Sequence, residues 1–175
     1  MPVLFSALLP PDDVVEAITA ALAEALPEAL GEPGDGRRWE PPERWHITLA
    51  YYGQDDLEKR GAWLAERLAG RAAVDVRLEK AATFPGVLWL TVAGTELTPL
   101  AHAAGADAEA RPYTAHLTLA RFPREEPGLG ARWTERLSSF ASRSWQATEV
   151  ALMASEREPG GTRYRVARSF ELDRA

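Results

Sequence analysis

Two segments of this chain repeat one another: His46-Ile47-Thr48-Leu49-Ala50 and His116-Leu117-Thr118-Leu119-Ala120. They use two of the protein's three histidines. In an extended strand alternate side chains point to opposite faces. Each copy therefore puts its histidine and threonine on one face and turns Ile47 and Leu49, or Leu117 and Leu119, toward a core. One His-x-Thr is weak evidence, because a strand threonine is explained by β propensity alone. Two copies sharing an apolar-alanine continuation imply two half-molecules fused around one cleft, a strong constraint on the fold.

The elements between the copies fit that plan. Val3–Leu9 reads as a buried strand stopped by Pro10-Pro11, with Asp12 and Asp13 favouring a helix start by capping and dipole. Val14, Val15, Ile18, Leu22 and Leu26 follow at helical spacing, and Gly31 to Gly36 reads as a loop. Arg37-Arg38-Trp39 predicts a short strand before Pro41-Pro42, and 45–52 the first motif strand. Asp55 or Asp56 predicts the cap of a second helix running to Ala69. Val74, Val76 and Leu78 alternate with charged residues as a half-buried strand whose hairpin partner is 87–92, after Pro85-Gly86. A third helix is expected around Leu97–Ala104, the second motif strand over 115–122, and a fourth helix from Leu129, Trp133, Leu137 and Phe140. Strands over 145–155 and 163–172 turn at Pro159-Gly160-Gly161. Mixed hairpins and helices without βαβ repeats predict an α+β fold with antiparallel sheets. No linker divides the chain, so residues 1–175 are read as one domain.

Composition narrows the function. The net charge is −6, and lysine occurs only at Lys59 and Lys80. That argues against a broad electrostatic grip on nucleic acid but leaves room for an RNA end or nucleotide in a locally basic cleft. Without cysteine there is no disulfide, thiolate nucleophile or thiolate metal site. The apolar run at the N-terminus is too short for a membrane span or secretory leader, so a cytoplasmic protein with no membrane partner is expected.

Two imidazoles can lend and take protons near neutral pH, and two hydroxyls can donate to anionic oxygens. This pattern suits a phosphoryl group, one histidine protonating the departing oxygen and the other activating water. By strict alternation Arg121 lies on the face opposite His116 and reaches the cleft only if its strand twists, bulges or ends. Tyr51, Phe84 and Tyr113 read as core more readily than as base-stacking groups, and Arg37, Arg38, Arg44, Arg163 and Arg165 mostly as solvated charge. His102 reads as a surface histidine. Three such distant histidines make no metal site.

With those residues in view, the chain resembles the two-histidine (2H) phosphoesterases, specifically the RNA 2′,3′-cyclic phosphodiesterases of the 2′–5′ RNA ligase-like group. The resemblance is carried by Leu4–Pro10, by Arg38-Trp39 with Pro41–Leu49 and Tyr51-Tyr52-Gly53, and by Phe84–Leu90. Arg111, Tyr113, His116–Arg121 and Gly160–Tyr164 continue it, while Ala115 departs from the proline common before the second histidine. The resemblance implies two pseudo-symmetric lobes with antiparallel sheets facing a central cleft and helices outside. It implies that His46 is the acid and His116 the base, that Thr48, Thr118 and Arg121 hold the phosphate, and that no metal or cofactor takes part. The implied substrates are RNA 3′ ends or nucleotides bearing a 2′,3′-cyclic phosphate, opened to a 2′-phosphomonoester by a monomeric enzyme. Other cyclic phosphates (an ADP-ribose derivative), 2′–5′ joining of RNA, and a non-catalytic RNA-end or nucleotide-binding module are the alternatives.

Overall fold

A computed structural model describes residues 1–30 and 36–174. Apart from Gly36, the predicted loop at Gly31–Gly36 lies outside the described residues. In chain order the strands and helices are β1 (Val3–Leu8), α1 (Asp12–Ala25), β2 (Arg38–Trp39), β3 (Ile47–Gln54), α2 (Leu57–Leu68), β4 (Val74–Phe84) and β5 (Val87–Gly94). They continue with α3 (Thr98–Ala103), β6 (His116–Arg121), α4 (Pro127–Arg136), β7 (Trp145–Ala147), β8 (Glu149–Glu158) and β9 (Gly161–Glu171).

Every strand pair is antiparallel, and the main sheet path runs β7-β4-β5-β6-β3-β1-β8-β9, with β2 beside β6. The two motif strands are the inner strands of two four-stranded halves. The halves meet at one described register pair, Ile47 opposite Leu117. The seam is short because β2 takes over the same edge of β6, pairing Trp39 with Ala120 and Arg38 with Arg121. These halves are the two pseudo-symmetric lobes of the α+β fold.

Helices cover the apolar face. Ile18 and Leu22 of α1 gather with Leu90 of β5, Leu119 of β6, Leu137 and Phe140, while α4 packs on β4 and β5 and α2 on β9. Asp56 caps α2 by accepting from the Lys59 N–H. Asp12 and Asp13 do not cap α1: Pro11 stands at that position, and the two acids act only within the first turn. The fourth helix is shorter than its apolar spacing predicts. It ends at Arg136, and i→i+3 bonds from Ser138 to Glu135 and Phe140 to Leu137 carry Phe140 into the core from a turn. The strand predicted over 145–155 is two strands. It breaks at Thr148, where the chain crosses from the edge of one lobe (β7 on β4) into the interior of the other (β8 on β1).

Ile47 and Leu117 are fully buried at the seam. Ile47→Val is expected to cost about 0.5–1.5 kcal/mol, the usual loss for one buried methylene. A urea midpoint that does not move would show that the seam is loosely packed.

Candidate active site

Extending the Ile47–Leu117 register by one residue each way sets His46 across from Thr118 and His116 across from Thr48. Opposed residues of an antiparallel pair point to the same face. All four side chains line one cavity of about 380 Å³, with Glu40, Arg44, Tyr51, Arg121 and Tyr164 also in its wall.

Arg121 arrives there through a β-bulge. Against β5, Thr118 stands opposite Trp89 and Ala120 opposite Leu88, leaving Leu119 unpaired. The extra residue inverts the alternation, so Arg121 returns to the face of His116 and Thr118. The first motif has the same device: Thr48 pairs with Ala7 and Ala50 with Ser6 of β1, leaving Leu49 unpaired. Consecutive burial of Leu49 and Ala50, and of Leu119 and Ala120, is its trace. Tyr51 is thus the pseudo-symmetric counterpart of Arg121. It lies 60% exposed on the cavity wall rather than in the core.

The histidines are anchored alike. His46 Nδ1 lies 2.6 Å from the Arg44 carbonyl oxygen, and His116 Nδ1 lies 2.8 Å from that of Thr114. A carbonyl oxygen only accepts, which assigns the proton of each neutral ring to Nδ1 and leaves Nε2 as the acceptor nitrogen. His46 Nε2 then accepts from the Thr48 hydroxyl at 2.9 Å. Aromatic side chains wall both rings. Phe5 and Tyr164 stand 4.9 and 5.5 Å from His46, and Phe84 and Trp89 stand 5.3 and 5.7 Å from His116, centroid to centroid. Phe84 and Trp89 flank the β4–β5 turn, where Gly86 has φ +76° and an added Cβ would sit 2.9 Å from the Phe122 carbonyl oxygen. Glycine is required there on both counts.

Burial pushes the His46 pKa below its ordinary value; the Arg44 carbonyl and the Glu40 carboxylate oppose this, and the charge of His116 adds to it. An unfolded chain takes up this proton near pH 6.5, whereas the folded ring resists it. The unfolded state therefore binds more protons just below about pH 6.5, and stability falls there until the lower, folded pKa is passed. Urea melts at about pH 7 and 5.5 are expected to show His46→Gln losing less stability than the wild type; equal losses would refute this.

A second cavity of about 560 Å³ shares Thr48 and His116 with the first and includes Phe84, Arg111, Tyr113 and Arg124. The Tyr113 hydroxyl donates to the Thr48 carbonyl at 2.7 Å, a framework contact. Arg163 and Arg165 pair with Glu158 and Glu156 on the exposed hairpin, as solvated charge should. Arg44 does not follow that pattern, because it lines the first cavity. His102 is exposed and lines neither cavity. Among the described residues no three His, Asp or Glu side chains cluster with metal-binding geometry. Sequence reasoning missed Glu40, Phe5 and Trp89, and noted Tyr164 only as part of a turn. Their proximity to the histidines comes from strand pairing, not from local spacing.

The sequence matches the 2′-5′ RNA ligase superfamily over residues 10–159. The chain belongs to that superfamily, the two-histidine phosphoesterases. No curated protein sequence matches it. Among solved structures it is similar to E. coli LigT complexed with 3′-AMP, with 26% identity over 98% of this chain and 99% of that one and a TM-score of 0.71. E. coli LigT complexed with phosphate matches at 26% identity over 98% and 97%, with a TM-score of 0.70. TT0787 of Thermus thermophilus shares the fold at 23% identity over 97% of each chain, with a TM-score of 0.71. Among the described residues no helix is long and apolar enough to cross a membrane.

Proposed function

We propose that this protein is a 2′,3′-cyclic phosphodiesterase, acting on RNA 3′ ends or nucleotides and releasing a 2′-phosphomonoester. One observation carries the reading: two imidazoles anchored through Nδ1, two threonines and an arginine line a single cavity. The phosphate and 3′-AMP bound to E. coli LigT, a protein 26% identical, fit the same substrate class.

His116 Nε2 takes a proton from water as the water oxygen bonds to phosphorus. The phosphorus–O3′ bond breaks, and protonated His46 gives its Nε2 proton to O3′. The product keeps its phosphate on O2′ and gains a 3′-hydroxyl. Thr48, which bonds His46 Nε2 in the free protein, turns with Thr118 to donate to the non-bridging oxygens. Arg121 neutralises the charge gathering there.

The test is product analysis of an oligonucleotide ending in a 2′,3′-cyclic phosphate, incubated with the protein in excess chelator. The expected product is the 2′-phosphomonoester, formed at an undiminished rate. A 3′-phosphate product, or no turnover with or without divalent cations, would overturn the proposal.

A further inference from the structure

A phosphate cavity gains nothing for anion binding from a carboxylate, yet Glu40 stands in the wall of this one. It is well covered, with its side chain only 13% exposed. Its backbone fixes it: the Glu40 N–H donates to the carbonyl of Leu119, the bulged residue of the second motif, and the Glu40 carbonyl accepts from Trp45 Nε1. Arg44 Nε lies 3.3 Å from Glu40 Oε2 but points no N–H along that line, so the contact is coulombic. The Arg44 fork instead donates to the Thr162 carbonyl of β9, through Nη1 at 3.3 Å. Meanwhile the Arg44 carbonyl holds His46 Nδ1.

The other charged and titratable groups lining the cavity with His46 are cationic or neutral: Arg44 in the preceding turn, Tyr51 on β3, His116 and Arg121 on β6, and Tyr164 on β9. Such a setting welcomes phosphate and disfavours a second cation. The acid step nevertheless needs a protonated ring. Glu40 is the one acid among the lining residues, and its charge acts directly on His46.

We propose that Glu40 is a positioning residue for the acid step, supplying the negative charge that lets His46 meet the substrate as an imidazolium. The proposal rests on the acid role given to His46 above. It entails a trade: the carboxylate weakens phosphate binding somewhat and in return keeps the proton donor charged.

Rates on adenosine 2′,3′-cyclic monophosphate, followed from pH 5 to 9 for wild type, Glu40→Gln and Glu40→Asp, test it. Glu40→Gln is expected to move the alkaline limb of kcat/KM down by roughly one pH unit, the scale for losing one nearby opposite charge. Above that limb kcat/KM then falls about tenfold. The acid limb stays in place, KM does not rise, and Glu40→Asp recovers part of the shift. An unmoved alkaline limb overturns the proposal, as does an equal loss at every pH with raised KM, the mark of a substrate contact or a general structural role. If the wild type turns over no cyclic phosphate, the phosphodiesterase reading falls and an NMR titration decides the role of Glu40 alone. The His46 ring, assigned by its missing signal in His46→Gln, should lose its proton at lower pH in Glu40→Gln, and an unmoved midpoint overturns the proposal.

Discussion

His46→Ala and His116→Ala should each lower kcat on a 2′,3′-cyclic phosphate about 10²–10⁴-fold, the usual contribution of one acid–base group. Because the two rings act in one displacement, the double variant should lose far less than the product of the single losses. Both rings present Nε2, since their Nδ1 atoms are committed to the Arg44 and Thr114 carbonyls. Two such groups, one needed with its proton and one without, give a bell-shaped pH profile. In the proposed mechanism the alkaline limb belongs to the acid, His46, whose burial holds its pKa below the ordinary value, and the acid limb to the base, His116. His116→Ala should therefore flatten the acid side and leave the alkaline side in place. Wild-type rates in both single variants would sink the mechanism, as would loss of the same limb in each.

The sequence carries its most legible signal where side-chain pattern and chemistry coincide. The duplicated His-x-Thr segments sit at the start of β3, with His46 immediately before it, and on β6, and the alternation of Val74, Val76 and Leu78 marks β4. What stayed hidden depends on partners distant in the chain. The bulges at Leu49 and Leu119 exist only relative to β1 and β5, so nothing local shows that Arg121 changes face. The break at Thr148 exists because β7 and β8 join different lobes, while the sequence from Trp145 to Ser155 runs on as one strand. Arg44 looks like solvated charge and Glu40 carries no local signal beside Pro41-Pro42, and only the packing of that turn makes them cavity residues. The separation of roles follows: periodicity reports burial, whereas the site is assembled by register.

Register also makes Arg121 a sharp test. Arg121→Ala should lower kcat/KM about 10–10²-fold, because a hydrogen bond to a charged partner contributes about 1.5–3 kcal/mol. Arg121→Lys should recover only part of this, since an ammonium lacks the planar fork that engages two phosphate oxygens. The matched bulges go further, because they put Tyr51 at the pseudo-symmetric position on the same cavity wall. A guanidinium introduced there approaches the phosphate from the opposite strand at a related angle. Tyr51→Arg in the Arg121→Ala background should therefore restore part of the lost kcat/KM, while Tyr51→Arg alone changes it little. If the introduced arginine restores nothing and Arg121→Lys matches wild type, only positive charge at the mouth of the cleft matters. The bulge would then serve the packing of Leu119 against α1 rather than the aim of Arg121.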